Sequence, residues 1–168
     1  MNVAILARGG SIWRTWAEAD RGQYDRVITI NTACNVFACD YVAACDSHTY
    51  DAIRYLPSCG YIYRSDLPRE WDKVHGRLSP ELWPIDMSPL IRQYPAGIKP
   101  EFSIESAIVH AVEDMGAESV DLYGVDLGQE ENEIPGVKVN ATAQRWAKEQ
   151  RALDRMMAHY SPRVKRIL

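Results

Sequence analysis

Asn2-Val3-Ala4-Ile5-Leu6-Ala7-Arg8-Gly9-Gly10-Ser11 is the stretch on which the fold turns. A short apolar run without polar alternation, stopped by two glycines, is how a strand buried on both faces reads. Ser11 then stands before Ile12-Trp13-Arg14-Thr15-Trp16-Ala17-Glu18-Ala19, whose apolar positions 12, 13, 16 and 17 predict a helix. Ser11 is placed to be its N-cap.

The same texture recurs downstream. Arg26-Val27-Ile28-Thr29-Ile30 reads as a second strand ending in Asn31-Thr32-Ala33, and residues 40–45 as a third ending in Asp46-Ser47. Residues 48–56 read as a helix stopped by Pro57, and Tyr61-Ile62-Tyr63 as a short fourth strand. Ile104, Ala107, Ile108, Ala111, Val112 and Met115 follow the i, i+3, i+4 spacing of a helix with one apolar face, with Gly116 as its stop. A strand follows at residues 119–125. A long helix follows at residues 141–160, with Trp146, Leu153, Met156, Met157 and Tyr160 toward the sheet, and residues 164–168 make a last strand. Short unpatterned strands alternating with helices predict one α/β domain over residues 1–168, a mostly parallel sheet with helices on both faces.

Residues 64–100 break that texture. Pro68, Pro80, Pro84, Pro89, Pro95 and Pro100 fall there, beside Trp71 and Trp83. So much proline argues against long regular elements, and the tryptophans favour a packed, lid-like insertion.

The 168 residues suffice for a core that buries about 70% of the unfolded chain's surface. With 46% hydrophobic and 25% charged residues the composition is that of a globular domain, not of a disordered or fibrous chain. A net charge of -4 argues against a nonspecific nucleic-acid binder. No apolar run approaches the ~18 residues of a membrane span, and the opening reaches Arg8 too soon for a signal peptide. The expected compartment is the cytoplasm, and the expected partner is a small molecule rather than nucleic acid or membrane. Cys34, Cys39, Cys45 and Cys59 contain no CxxC pair, so they read as reduced thiols in packing roles rather than as zinc ligands.

In an open parallel sheet, ligands bind beyond the carboxyl ends of the strands, near the point where strand order reverses. The residues expected there are Arg8, Gly9, Gly10 and Ser11, then Asn31 and Thr32, then Asp46, Ser47 and His48, and finally Asp126. The Gly9–Ser11 turn fits either a phosphate on the helix N-terminus or a tight turn with a serine cap. Asp46 and Asp126 fit Mg²⁺ ligands, ribose contacts or helix caps. His48 fits a general acid–base group or a plain helix-start histidine. His110 lies off its helix's apolar stripe and is expected in solvent, His159 suits a helix C-terminus, and His75 lies in the proline-rich segment. GxGxxG and GxxxxGK[ST] are both absent, and Asn31 stands where a dinucleotide enzyme has an acid, which argues against ordinary NAD and P-loop sites.

Gly-Gly-Ser-Ile after the first strand, Ile-Asn-Thr-Ala after the second, Ala-Cys-Asp-Ser after the third and Gly-Ala-Glu-Ser-Val-Asp-Leu-Tyr-Gly-Val-Asp-Leu at 116–127 resemble two related groups. These are the archaeal 6-hydroxymethylpterin diphosphokinase-like family and the bacterial sialyltransferases of glycosyltransferase family 42. The resemblance covers residues 2–50 and 103–128, about half the chain. It implies a Rossmann-like fold and a nucleotide donor of CMP or ATP type, with Mg²⁺ as a possible cofactor. Gly9, Gly10 and Ser11 would touch phosphate or ribose, Asn31 the nucleotide, Ser103 the phosphates, and Gly124 with Asp126 the pocket wall. Gly10 stands where those families have proline. Val137-Lys138-Val139-Asn140 stands where the sialyltransferases carry their catalytic histidine.

The resulting expectation is a nucleotide-binding transferase, diphosphokinase-like or glycosyltransferase-like, taking a nucleoside phosphate or nucleotide-sugar donor. Asp46 and His48 would be its catalytic residues and Asp46 with Asp126 its metal ligands. The rival is a non-catalytic nucleotide-binding module.

Overall fold

The computed structural model describes residues 1–44, 60–62, 100–127 and 143–168. Its strands are β1 (Asn2–Leu6), β2 (Arg26–Ile30), β3 (Tyr41–Ala43), β4 (Gly60–Ile62), β5 (Ser119–Tyr123) and β6 (Val164–Arg166). Its helices are α1 (Ile12–Glu18), α2 (Ser103–Val109) and α3 (Ala143–His159). The strands form one sheet in the order β4-β3-β2-β1-β5-β6, and every pairing is parallel.

Val3, Ala4, Ile5 and Leu6 are all fully buried, as the unbroken apolar run predicts. Alternation sends Val3 and Ile5 to one face, where they join Ile108, Leu122 and Leu153 from α2, β5 and α3. Ala4 and Leu6 go to the other face, against Ile12, Trp16 and Tyr123. Helices therefore cover both faces, and the chain is a doubly wound, Rossmann-like α/β domain. Each such aliphatic side chain contributes about 1.5–3 kcal/mol by leaving water.

Several local expectations need correction. In α1 the buried set is Ile12, Thr15 and Trp16, the i, i+3, i+4 pattern, while Trp13 is 46% exposed and packs its ring 5.4 Å from Phe37. Trp13 and Ala17 thus face outward. The helix after Ser103 does run to residue 114, but its last turn (His110–Asp114) is π-helical before Gly116 stops it at φ +68°. His110 is not in solvent: its Nδ1 lies 2.8 Å from Asp114 Oδ2, and its side chain is 14% exposed. Its ring also packs 5.5 Å from that of Tyr41. In α3, Leu153, Met156 and the following Tyr160 are buried, whereas Trp146 is only partly covered. The helix expected at 48–56 and the lid-like segment at 64–100 lie outside the described residues, apart from Gly60–Ile62 and Pro100 beside them.

Candidate functional site

Strand order reverses between β1 and β5. The chain runs from β1 outward through β2, β3 and β4, then returns to place β5 and β6 on the other side of β1. In sheets of this kind ligands bind at such a reversal, beyond the carboxyl ends of the flanking strands, here β1 and β5. Two loops meet there. Gly9 N–H donates to Gly124 O at 2.8 Å, just after Ala7 N–H donates to Tyr123 O at 2.8 Å. The approach is close enough that a Cβ on Gly9 would lie 2.3 Å from Asp126 Oδ2 and 2.6 Å from Gly124 O. Gly124 has φ +65°, and a Cβ there would lie 2.8 Å from Ile12 Cβ. Both glycines are therefore required by loop-on-loop packing.

Asp126, 5% exposed, takes the position at the start of α1 for which the sequence offered either a phosphate or a serine cap. Its Oδ2 accepts from Ser11 N–H at 2.9 Å, and its Oδ1 accepts from the Ser11 hydroxyl. Ser11 is thus no side-chain cap. The helix is capped instead by a carboxylate from 115 residues away, which suits the positive end of the helix dipole. The next two amides, of Ile12 and Trp13, donate to Gly9 O and Gly10 O. A carboxylate so buried and so committed does not fit a Mg²⁺ ligand, which needs its oxygens open to a hydrated cation. No group of three or more His, Cys, Asp or Glu side chains among the described residues could hold a metal.

Asn31 directly follows β2 and opens a 3₁₀ turn (Asn31–Asn35) with φ +52°. Asparagine is one of the few residues that enters this left-handed region readily. Its Oδ1 accepts from the Ser103 hydroxyl at 3.3 Å, so the end of β2 and the start of α2 are joined. Leu127, after Asp126, has φ +50°. Among the described residues these are the non-glycine residues in that conformation, and both stand at the carboxyl edge. Next to Asn31, Thr32 is buried, and its Oγ1 has no hydrogen-bond partner among the described residues.

Glu105 is a residue of this region that the sequence reading missed. It is 1% exposed, and its Oε2 accepts from Glu101 N–H at 2.7 Å and Phe102 N–H at 3.0 Å. Burial pushes its carboxyl above the ordinary range, against the lowering effect of those two amides. A glutamate at the third position of a helix, reaching back to the amide of its N-cap, is one half of the capping box; Phe102 stands where that pattern has serine or threonine, so the sequence carried only half of the signal.

The expected site residues therefore fall into two tied groups. Gly9 and Ser11 meet Gly124 and Asp126, and Asn31 meets Ser103. Gly10 sits in the first turn, where its carbonyl receives Trp13 N–H at 3.3 Å. Asp46 and His48 lie outside the described residues.

No helix among the described residues is long and apolar enough to cross a membrane. No family model and no curated protein matches the chain. Among solved structures it is similar to a structural-genomics crystal structure of a protein from Lactobacillus plantarum. That likeness has 14% identity and a TM-score of 0.47 over 99% of this chain and 60% of the other. This chain thus spans less than two thirds of that protein's length, and the fold assignment rests on the parallel sheet itself.

Proposed function

We propose that this chain binds a nucleotide beyond the carboxyl ends of β1, β2 and β5, as the donor of a transferase that uses a nucleoside phosphate or nucleotide sugar. The observation that carries the reading is the pair of left-handed residues, Asn31 and Leu127, at the edge where a doubly wound sheet receives its ligand. For Leu127 that conformation costs of order 1 kcal/mol or more and persists where the surroundings impose it, while Asn31 enters it readily. With Oδ1 engaged by Ser103, the Asn31 amide still has two N–H donors for a base or ribose. Ser11 and Asp126, tied to each other, stand at the ends of the neighbouring strands β1 and β5. The transfer step is assigned to Asp46 and His48 on sequence grounds.

One observation favours the non-catalytic module as a second reading. The two buried carboxylates described near this edge, Asp126 and Glu105, both hold backbone amides, and neither is poised as a base. Thermal shift and titration calorimetry with CMP, UMP, AMP, GMP and their di- and triphosphates, with and without Mg²⁺, test binding. A ligand at 100 times its Kd adds about 2.7 kcal/mol, which a melt resolves. A donor-hydrolysis assay with whichever nucleotide binds then separates the two readings. Binding without turnover leaves the module, and no binding by any nucleotide removes both.

A further inference from the structure

An anionic ligand at this edge needs a cationic partner, and Asp126 already occupies the N-terminus of α1. Arg166 is the last residue of β6 and pairs in register with Leu122 of β5, two positions before Gly124. The carboxyl end of β6 therefore opens on the same edge as the segment that carries Gly124 and Asp126. Lys165 is exposed, while Val164 on one side of it packs into the main core with Leu122. Alternation puts Arg166 on the same side of the sheet as Val164, and the residue is partly buried.

Its Nε and Nη2 are buried and have no hydrogen-bond partner among the described residues. Those two nitrogens form one edge of the guanidinium, with two parallel N–H donors at the spacing of two oxygens on a carboxylate or phosphate. Leaving charged donors buried without an acceptor is costly, more so than for a neutral group. The arrangement makes physical sense when an oxyanion fills that edge.

We infer that Arg166 is an oxyanion-binding residue that receives a phosphate of the ligand through Nε and Nη2. The identification of the oxyanion as a nucleotide phosphate rests on the proposed function above. The competing source of the same chemistry is a carboxylate of this chain.

The test uses the full chain with Arg166→Met and Arg166→Lys, probed with pyrophosphate, CMP, AMP and the matching nucleosides. Wild type should gain Tm with pyrophosphate and with nucleotides. Arg166→Met should keep or raise the ligand-free Tm, because it removes unpaired donors, while losing at least tenfold in pyrophosphate affinity. Arg166→Lys retains the charge but not the fork, so its affinity should also fall. If Arg166→Lys binds pyrophosphate as wild type does, the assignment is overturned even should the methionine variant not fold. A lower ligand-free Tm in Arg166→Met with unchanged pyrophosphate affinity overturns it too, and assigns the partner to an internal carboxylate. Wild type that binds pyrophosphate but no nucleotide overturns the nucleotide reading and leaves the Arg166 site standing. Wild type that binds neither overturns both.

Discussion

Replacing Gly9 with alanine probes the junction on which the carboxyl edge is built. The added Cβ would lie 2.3 Å from Asp126 Oδ2, 2.5 Å from Asp126 Cγ and 2.6 Å from Gly124 O, and one of the three is backbone. Relief requires the two loops to separate, which strains the Gly9 N–H to Gly124 O bond and the pair of bonds between Ser11 and Asp126. Overpacking a tight site costs about 1–3 kcal/mol, and a weakened hydrogen bond about 1 kcal/mol more. Gly9→Ala should therefore lose about 3 kcal/mol, or about 6–12 °C in Tm for a chain of this size. Gly116→Ala is the control: that glycine has φ +68° but nothing within 4 Å, so only the left-handed conformation, about 1–2 kcal/mol, is at stake. The clash also predicts coupling. In an Asp126→Ala background two of the three close atoms vanish, so Gly9→Ala should cost about 1–2 kcal/mol less there than in wild type. Urea unfolding of the four proteins in that cycle measures it. A Gly9→Ala loss under about 1 kcal/mol, or strict additivity with Asp126→Ala, would refute the close approach of the two loops.

Glu105 has its carboxyl raised above the ordinary 4.5, chiefly by burial, so the folded chain holds that proton where the unfolded chain has lost it. Its contribution is therefore lost as pH rises from about 4.5 through the folded value, and Glu105→Gln should gain on wild type steadily over that window, read as urea midpoints from pH 4 to 8. A gap that narrows with rising pH would reverse the sign. Asn31→Gly keeps the left-handed turn but removes the amide, so Tm should hold within a few degrees while nucleotide affinity falls at least tenfold by calorimetry. Unchanged affinity would free Asn31 from any ligand role. Tyr24→Phe deletes a hydroxyl 2.7 Å from Asp121 Oδ2 and 2.6 Å from Tyr123 Oη, and should cost about 1–2 kcal/mol in denaturant melts. A neutral effect would mean that water replaces it freely.

Much of the architecture can be read from periodicity. The run at residues 3–6 has no polar member because both faces of β1 are covered, and all four residues are fully buried. Ile104, Ala107, Ile108, Ala111 and Val112 keep a helical spacing because one side of α2 and its π-helical turn meets the sheet. These are constraints between neighbours in the chain, and burial imprints them directly on residue type. The same constraint left the direction of Trp13 open, since an aromatic side chain at the rim of a helix face is compatible with either side, and it is 46% exposed. It misjudged His110, because Asp114 one turn away offers a partner that composition alone does not weigh.

The site divides along the same line. That Gly9, Ser11, Asn31 and Asp126 gather at one edge follows from strand ends and the parallel order, and was legible in the sequence. That the anion on the α1 N-terminus is Asp126 itself was not, since a strand-end acid serves a ligand, a cation or a distant amide with equal local propriety. Nor could any pattern reveal that Arg166 ends β6 with two buried nitrogens that have no partner among the described residues. The sequence by itself determined which segments are strands and helices and which of their ends carry polar groups, because backbone geometry acts within a few residues. Only the tertiary structure decided which polar group meets which, because that choice lies between residues up to 115 positions apart and is made by packing.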